Sequence, residues 1–189
     1  MKIRESGMPL EESWNTFFNV ELILEKLQIN GTIQDVVEFG SGYGTFTIPA
    51  SLKIKGKIFD YDIEPEMIKC LQDKINQNNL SNIILMNRDF LIDGTGLDDN
   101  SVDYVMMFNI LHAEEPLELL KESYRILKYN GKIGIIHWIY SKDTPRGPSM
   151  EIRPTEKQCI EWANISGFNT YGGSFSLPPY HYGIIGIKK

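Results

Sequence analysis

The sequence predicts an α/β protein with a doubly wound, mostly parallel seven-stranded sheet, helices on both faces and a C-terminal antiparallel hairpin. Two observations predict this class. After Gly31, short apolar runs alternate with amphipathic stretches, which is typical of β-α-β units. The run over residues 102–108 is almost continuously apolar, as expected of a strand that is buried on both faces of a parallel sheet.

The predicted elements follow in order along the chain. Apolar side chains near helical spacing predict helices in residues 1–30, which we interpret as an N-terminal cap segment on a single domain formed by residues 31–189. We expect strands at residues 35–39, 57–61, 82–86, 102–108 and 132–140. Helices are expected with Asn19 as a cap, after Gly44, from Pro65, over 116–127 and after Thr155. Residues 168–176 and 180–187 are predicted to pair as the hairpin.

Composition disfavours several classes of function. The chain has 25 acidic and 19 basic residues and a net charge of -6, so no nucleic-acid partner is expected, because nucleic-acid binders carry a basic surface. Cys70 and Cys159 lie far apart, and we interpret them as reduced packing residues, with no metal site. No apolar leader and no run of about 18 apolar residues is found, so we expect a cytoplasmic protein with no membrane contact.

A glycine-rich turn follows the first predicted strand. In the segment EFGSGYG, residues 38–44, the missing side chains permit a tight turn and let a nucleoside approach the main chain. Asp62 ends the second predicted strand, where a carboxylate accepts hydrogen bonds from ribose hydroxyls. Since open parallel sheets bind ligands beyond the carboxyl ends of their strands, the sequence predicts a Rossmann-like nucleotide site here, for either NAD or S-adenosylmethionine.

Two features favour S-adenosylmethionine over NAD. The third glycine of GSGYG comes one residue too early for the GxGxxG loop that cradles a pyrophosphate. Glu38, just before the turn, attracts a cofactor that carries ammonium and sulfonium charges, whereas it repels one with two phosphates. An NAD-dependent oxidoreductase is the alternative enzyme class. A catalytically silent module that binds S-adenosylmethionine is the non-enzymatic alternative.

Five segments occur in the order and spacing of the class I S-adenosylmethionine-dependent methyltransferases: VVEFGSGYGTFT, IFDYDIEPEMI, NRDF, LDDNSVDYVMMFNILH and LKESYRILKYNGKIGIIHW. They cover roughly residues 33–140 and most resemble the small-molecule branch similar to ubiquinone and menaquinone C-methyltransferases. The resemblance implies S-adenosylmethionine as the cofactor and a small-molecule methyl acceptor. Residues 108–111 are Phe-Asn-Ile-Leu, which departs from the branches that methylate amino groups of DNA bases or protein glutamine.

The resemblance also implies a set of cofactor contacts at the carboxyl ends of the strands. The glycines would line the methionine end, Asp62 would hold the ribose, and Asp89 would take the adenine amino group, although an Asp in this setting also caps turns. The full set is Glu38, Gly40, Gly42, Asp62, Ile63, Asp89, Phe90 and Asn109.

Three residues near the predicted carboxyl edge are candidates for catalysis. Asn109 would lie where the fourth strand opens onto the methyl-transfer site. His112 and His137 are each interpreted either as a general base or as a histidine that is hydrogen-bonded to the main chain. A base is required only where the nucleophile must lose a proton.

Acceptor contacts are expected from outside the shared segments. Trp14, Phe18 and Trp138 either wall an acceptor pocket or fill the core. The proline-rich residues 141–154 predict a long ordered loop. It is either a lid whose Arg146 and Arg153 clamp an acceptor anion or a solvent-facing connector. A second subunit of a homodimer is the remaining source of acceptor surface.

Overall fold

The computed structural model of the protein describes residues 8–189. Its centre is a sheet of eight strands. The strands are β1 (Val36–Phe39), β2 (Ile58–Asp62), β3 (Ile83–Asn87), β4 (Val102–Phe108), β5 (Leu127–Trp138), β6 (Phe168–Asn169), β7 (Ser174–Leu177) and β8 (His181–Lys188). The helices are α1 (Glu11–Asn15), α2 (Val20–Lys26), α3 (Thr47–Ser51), α4 (Pro65–Gln77), α5 (Phe90–Asp93), α6 (Pro116–Ile126) and α7 (Glu156–Ile165). Residues 1–7 of the predicted cap segment lie outside the described residues.

The strand order is β3-β2-β1-β4-β5-β8-β6, with β7 also paired to β8. Strands β1 to β5 run parallel to one another, whereas β8 runs antiparallel to β5 and to both short strands. The predicted doubly wound, mostly parallel fold with a terminal antiparallel unit is therefore confirmed. Because the winding direction reverses between β1 and β4, a crevice opens beyond the carboxyl ends of these two strands.

The terminal strands differ in number from the prediction. The single strand expected over residues 168–176 is divided into β6 and β7, which both pair with β8. Gly172 and Gly173 have φ values of 88° and 67° and turn the chain between the two pieces, so the sheet has eight strands rather than seven. The helix expected to reach Leu127 ends at Ile126, and β5 begins there without a loop.

The local signals for helix starts are confirmed. The Asn19 side chain accepts a hydrogen bond from Leu22 N at the start of α2. Pro65 and Pro116 occupy the first turns of α4 and α6, where a missing N–H costs nothing. Thr155 begins α7 with a capping box, in which its hydroxyl accepts from the main-chain N–H of Gln158.

Both faces of the sheet are covered, because successive residues of each central strand point to opposite sides. On β4, Val105 and Met107 pack into the cluster formed with α6 and α7, while Tyr104 and Met106 pack into the cluster formed with α2 and α3. The buried Tyr104 hydroxyl donates to Leu27 O at 2.8 Å, which ties the N-terminal helices to the central strand.

Within residues 8–189, no helix is long and apolar enough to cross a membrane.

We predict that Gly134→Ala on β5 destabilises the protein. A methyl group at this position would overlap the Tyr104 hydroxyl, which is committed to Leu27 O. Overpacking of this kind costs about 1–3 kcal/mol. Urea unfolding should show a lower free energy of unfolding. Gly31→Ala is the control, because its added methyl group would meet nothing closer than Lys53 O at 3.7 Å. Equal stability of the two variants would contradict the packing of Tyr104.

Candidate active site

The turn after β1 adopts a conformation that only glycines accommodate easily. Gly40, Gly42 and Gly44 have φ values of 74°, 53° and 75°, in the left-handed region. A methyl group at Gly44 would also overlap Leu71 of α4. The turn therefore passes close to α4, and its three glycines carry no side chains.

Asp62, the last residue of β2, holds this turn in place. Its Oδ2 accepts a hydrogen bond from Gly42 N at 3.0 Å, and its Oδ1 accepts from Glu64 N at 2.9 Å. The carboxylate is buried but still lines the cavity described next. Burial raises its pKa, and the two main-chain donors act in the opposite direction. One carboxylate thus connects the ends of β1, β2 and α4.

A cavity of about 390 Å³ lies beyond the carboxyl ends of β1, β2 and β4. Predicted site residues that line it are Trp14, Gly40, Gly42, Asp62, Ile63, Asp89, Phe90, Asn109, His112, Trp138 and Arg146. Lining residues that sequence reasoning missed are Met8, Glu64, Leu91, Phe108, Ile110, Ala113, Gly147, Pro148 and Ile152. Most of the missed residues are immediate sequence neighbours of predicted ones. Their position next to a predicted residue is therefore the sequence signal that could have identified them.

Four predicted site residues do not line the cavity. Glu38 is buried beneath the glycine turn. Phe18 packs in the core with its ring stacked on His181 at 4.5 Å between centroids, so its expected contact with an acceptor is corrected. His137 is fully buried behind His112. Arg153 is buried inside the loop of residues 141–154.

Arg153 organises that loop instead of facing the cavity. Its guanidinium donates to the carbonyl oxygens of Ile139, Ser141, Arg146 and Pro148 and to Thr144 Oγ1, at distances from 2.7 to 3.3 Å. All five of its N–H groups can be used in this way. The predicted clamp on a substrate anion is therefore corrected for Arg153. The guanidinium fixes the fold of a loop that has few main-chain hydrogen bonds of its own.

A buried pair of carboxyl groups lies under the glycine turn, and sequence reasoning found only one of them. Glu38 on β1 and Asp60 on β2 are register partners, and Thr47 Oγ1 lies 2.7 Å from Glu38 Oε2 and 3.1 Å from Asp60 Oδ2. Asp60 and Asp62 are two residues apart on β2 and therefore point to the same face of the sheet. This spacing is the sequence signal that could have identified Asp60. Since a hydroxyl carries one proton, Thr47 donates to one carboxylate and can accept only from a protonated partner.

Burial is the main reason that this pair resists ionisation. It raises the pKa of Asp60 to about 7 and raises the pKa of Glu38 well above its usual value. The neighbouring acidic groups act in the same direction on both residues. Glu38, which the sequence predicted to contact the cofactor, is therefore buried beside Asp60, and both carboxyl groups contact the Thr47 hydroxyl.

Asn109 and Asp89 also line the cavity, and each has a backbone conformation or a hydrogen bond that bears on its role. Asn109 has a φ of 56°, and its buried Oδ1 has no hydrogen-bond partner. Asparagine tolerates this left-handed conformation, which allows the chain to turn at the end of β4. Asp89 caps the short helix α5 by accepting from Leu91 N at 3.2 Å, and it also lines the cavity. Asp89 therefore caps a helix, as the alternative interpretation predicted, and it also remains part of the candidate site.

Residues 37–135, just over half of the chain, match the methyltransferase domain family. The chain belongs to this family. The resemblance found in the segments around the glycine turn and β4 is therefore confirmed.

Individual relatives agree with this assignment. A methyltransferase-like protein of Schizosaccharomyces pombe, itself uncharacterized, is 32% identical over 109 residues, which is 58% of this chain and 40% of that protein. Demethylmenaquinone methyltransferase from Geobacillus sp. is 24% identical over 95 residues, or 50% of this chain and 40% of that protein. The chain thus spans about two fifths of the length of these curated relatives.

The fold has a close counterpart among solved structures. A crystal structure of a methyltransferase from Aquifex aeolicus, dependent on S-adenosylmethionine, superposes with a TM-score of 0.84 at 24% identity. The match covers 95% of this chain and 94% of that chain.

We predict that Asp60→Asn flattens the dependence of stability on pH. The folded-state pKa of Asp60, about 7, exceeds that of an unfolded aspartate, so the folded state binds the proton more tightly. Its contribution to stability is complete at low pH and is lost as the pH rises through about 7. Urea unfolding between about pH 5 and about pH 8 should therefore show a smaller loss of stability for the variant. The control is Asp98→Asn at an exposed position, and a slope equal to that of the wild type in Asp60→Asn would exclude a protonated Asp60.

We predict that Arg153→Lys loosens the loop of residues 141–154. An ammonium group offers three donors in place of five and leaves buried carbonyl oxygens unpaired, at about 1–3 kcal/mol for each unpaired group. Limited digestion with a protease of broad specificity should cut this loop faster than in the wild type. Lys142→Ala, which removes an exposed cation from the same loop, should be cut at the rate of the wild type. Unchanged cleavage of Arg153→Lys would show that the prolines alone hold the loop.

Proposed function

We propose that this protein transfers the sulfonium methyl group of S-adenosylmethionine to a small-molecule acceptor. The observation that carries the proposal is the charge of the cavity wall formed by the glycine turn, the end of β2 and α5. The charged residues on that wall, Asp62, Glu64 and Asp89, are all acidic. Such a wall attracts a ligand with ammonium and sulfonium charges and repels a pyrophosphate, which argues against NAD.

The residues present fit this cofactor. Asp62 would accept hydrogen bonds from the ribose hydroxyls, and Asp89 would accept from the adenine amino group, as in the family. The unpartnered Oδ1 of Asn109 offers an acceptor for an ammonium group. The main chain of Gly40 and Gly42 lines the cavity, and Met8 lies against Gly42. When bound, the cofactor supplies an activated methyl group with a good leaving group.

The acceptor half of the cavity has a different character. Trp14, Phe108, Ile110 and Trp138 provide apolar and aromatic surface, and the loop of residues 141–154 adds Arg146, Gly147, Pro148 and Ile152. An enclosure of this kind excludes water and aligns the nucleophile with the methyl group, which lowers the entropic part of the barrier by up to about 7–11 kcal/mol. The volume of about 390 Å³ is within the range of small-molecule sites, about 300–1,000 Å³.

The same reasoning supports the remaining parts of the proposal. The similarity to a demethylmenaquinone methyltransferase supports a flat, largely apolar acceptor. The net charge of -6 supports a cytoplasmic protein that acts on neither nucleic acid nor a membrane surface. The described part of the predicted N-terminal segment, residues 8–30, acts as a cap on the domain of residues 31–189, since Trp14 reaches the cavity wall. A homodimer would add acceptor surface beside this cap.

The function is tested by calorimetry against S-adenosylhomocysteine, S-adenosylmethionine and NAD. We predict binding of the first two, with affinity for S-adenosylhomocysteine reduced tenfold or more in Asp62→Asn, because a hydrogen bond to a charged group contributes about 1.5–3 kcal/mol. Asp98→Asn, at an exposed site, should bind normally. Transfer of labelled methyl groups to a low-mass fraction should follow. Tight binding of NAD alone would refute the proposal.

A further inference from the structure

Met8 reaches the candidate site from the N-terminal segment, outside the segments that carry the cofactor motifs. Its side chain lines the cavity together with Gly40, Gly42 and Asp62. A methyl group added at Gly42 would lie 2.7 Å from Met8 Sδ and 3.0 Å from Met8 Cε. The thioether end of Met8 therefore lies against the main chain of Gly42, at the cavity.

Polar contacts attach residues 8–11 to the same glycine turn. The Tyr43 hydroxyl donates to Pro9 O at 2.9 Å. Lys74 of α4 forms an ion pair with Glu11, and its ammonium group also donates to Tyr43 O at 2.7 Å. The segment that carries the methionine is thus held on the turn itself, and not on the sheet.

This attachment is weak, because little of the segment is buried. Met8 and Pro9 are half-buried, Leu10 is 80% exposed, and α1 contains no buried residue. The first residue of the described chain that is buried in the core is Phe18. Segments with few buried apolar contacts open locally more readily than a core does, and water and salt screen an ion pair near the surface. Met8 can therefore move without disturbing the core.

The position of Met8 coincides with a subsite that the proposed function requires. The glycine turn would receive the amino-acid end of the cofactor, whereas Asp62, Asp89 and Phe90 would hold its nucleoside. Both a methionine side chain and that end of S-adenosylmethionine consist of two methylene groups joined to sulfur. A surface that fits one therefore fits the other, and both cannot occupy it at once. The methionine side chain is unbranched and flexible, so it leaves the surface easily.

We propose that Met8 is a displaceable plug of the subsite for the amino-acid end of the cofactor, and that residues 8–10 shift away from Gly42 when this end binds. The inference rests on the proposed methyltransferase function. The nucleoside binds without competition, whereas the amino-acid end binds only after Met8 leaves. A ligand loses affinity in proportion to the fraction of molecules in which its subsite is accessible. The N-terminal segment therefore lowers the affinity for the whole cofactor and leaves the affinity for the nucleoside unchanged.

Calorimetry on the full chain with two ligands tests this competition. S-adenosylhomocysteine carries the amino-acid end, whereas adenosine lacks it. We expect Met8→Ala to bind S-adenosylhomocysteine about three- to tenfold more tightly than the wild type, with unchanged affinity for adenosine. Leu10→Ala is the matched control, because it truncates an exposed apolar side chain of the same segment. It should bind both ligands as the wild type does.

Three results would overturn the proposal. Equal affinity of Met8→Ala and the wild type for S-adenosylhomocysteine would show that nothing is displaced. Weaker binding by Met8→Ala would show that Met8 is a wall that contacts the bound cofactor. An equal gain in affinity for adenosine would place Met8 in the nucleoside subsite.

The attachment of residues 8–10 provides an independent test. Tyr43→Phe removes the hydrogen bond to Pro9 O and keeps the ring, so S-adenosylhomocysteine should bind more tightly, by less than in Met8→Ala. In a chain labelled with ¹³C at its methionine methyl groups, the Met8 signal is assigned with Met8→Leu. It should shift when S-adenosylhomocysteine saturates the protein. An unchanged Met8 signal at saturation would show that the side chain stays in place, which would contradict the proposal.

Failure of this inference is distinguishable from failure of the proposed function. Binding of NAD without S-adenosylhomocysteine, in both the wild type and Met8→Ala, would refute the function. Binding of S-adenosylhomocysteine that is indifferent to Met8 would instead leave the methyltransferase proposal intact and remove only the plug.

Discussion

The hydrogen bond from Gly42 N to Asp62 Oδ2 is the contact on which the candidate site depends. It joins the turn after β1 to the end of β2, and the second oxygen of the same carboxylate accepts from Glu64 N just before α4. Charged hydrogen bonds of this kind contribute about 1.5–3 kcal/mol each. The turn can approach the carboxylate because its glycines accept positive φ values. Asp62 therefore holds together the glycine turn at the cavity, the start of α4 and the acidic wall.

Burial near this anchor disfavours the charged form of several side chains. Glu38 and Asp60 have raised pKa values, and the pKa of His112 is lowered to about 4, because burial disfavours the charged form of each. The formal charges that remain at the cavity are acidic on the side of the glycine turn, with Arg146 on the opposite loop. This division separates an acidic half of the cavity from a half that is mainly apolar and aromatic.

The acceptor half is built largely from parts of the chain outside the family match, which ends at residue 135. Trp14 comes from the N-terminal segment, Trp138 from the end of β5, and Arg146 from the loop that Arg153 holds together. His137, behind His112, is also outside the matched region. The residues proposed to contact the cofactor thus lie within the family match, whereas segments outside that match close the remaining side of the cavity. A fold of this type accepts different acceptors by exchanging those segments.

The sequence by itself determined the parallel α/β order, the helix starts at Pro65 and Thr155, and the glycine turn facing Asp62, because each depends on local periodicity, caps or motif spacing. Only the tertiary structure decided what each remaining polar or aromatic side chain contacts. Register brings Asp60 beside Glu38, core packing encloses Phe18, and loop carbonyls surround Arg153. Gly172 and Gly173 divide the segment of residues 168–176, which the sequence predicted as one strand. The physical reason is that spacing fixes the face on which a residue lies, whereas the partner across that face is supplied by segments distant in sequence.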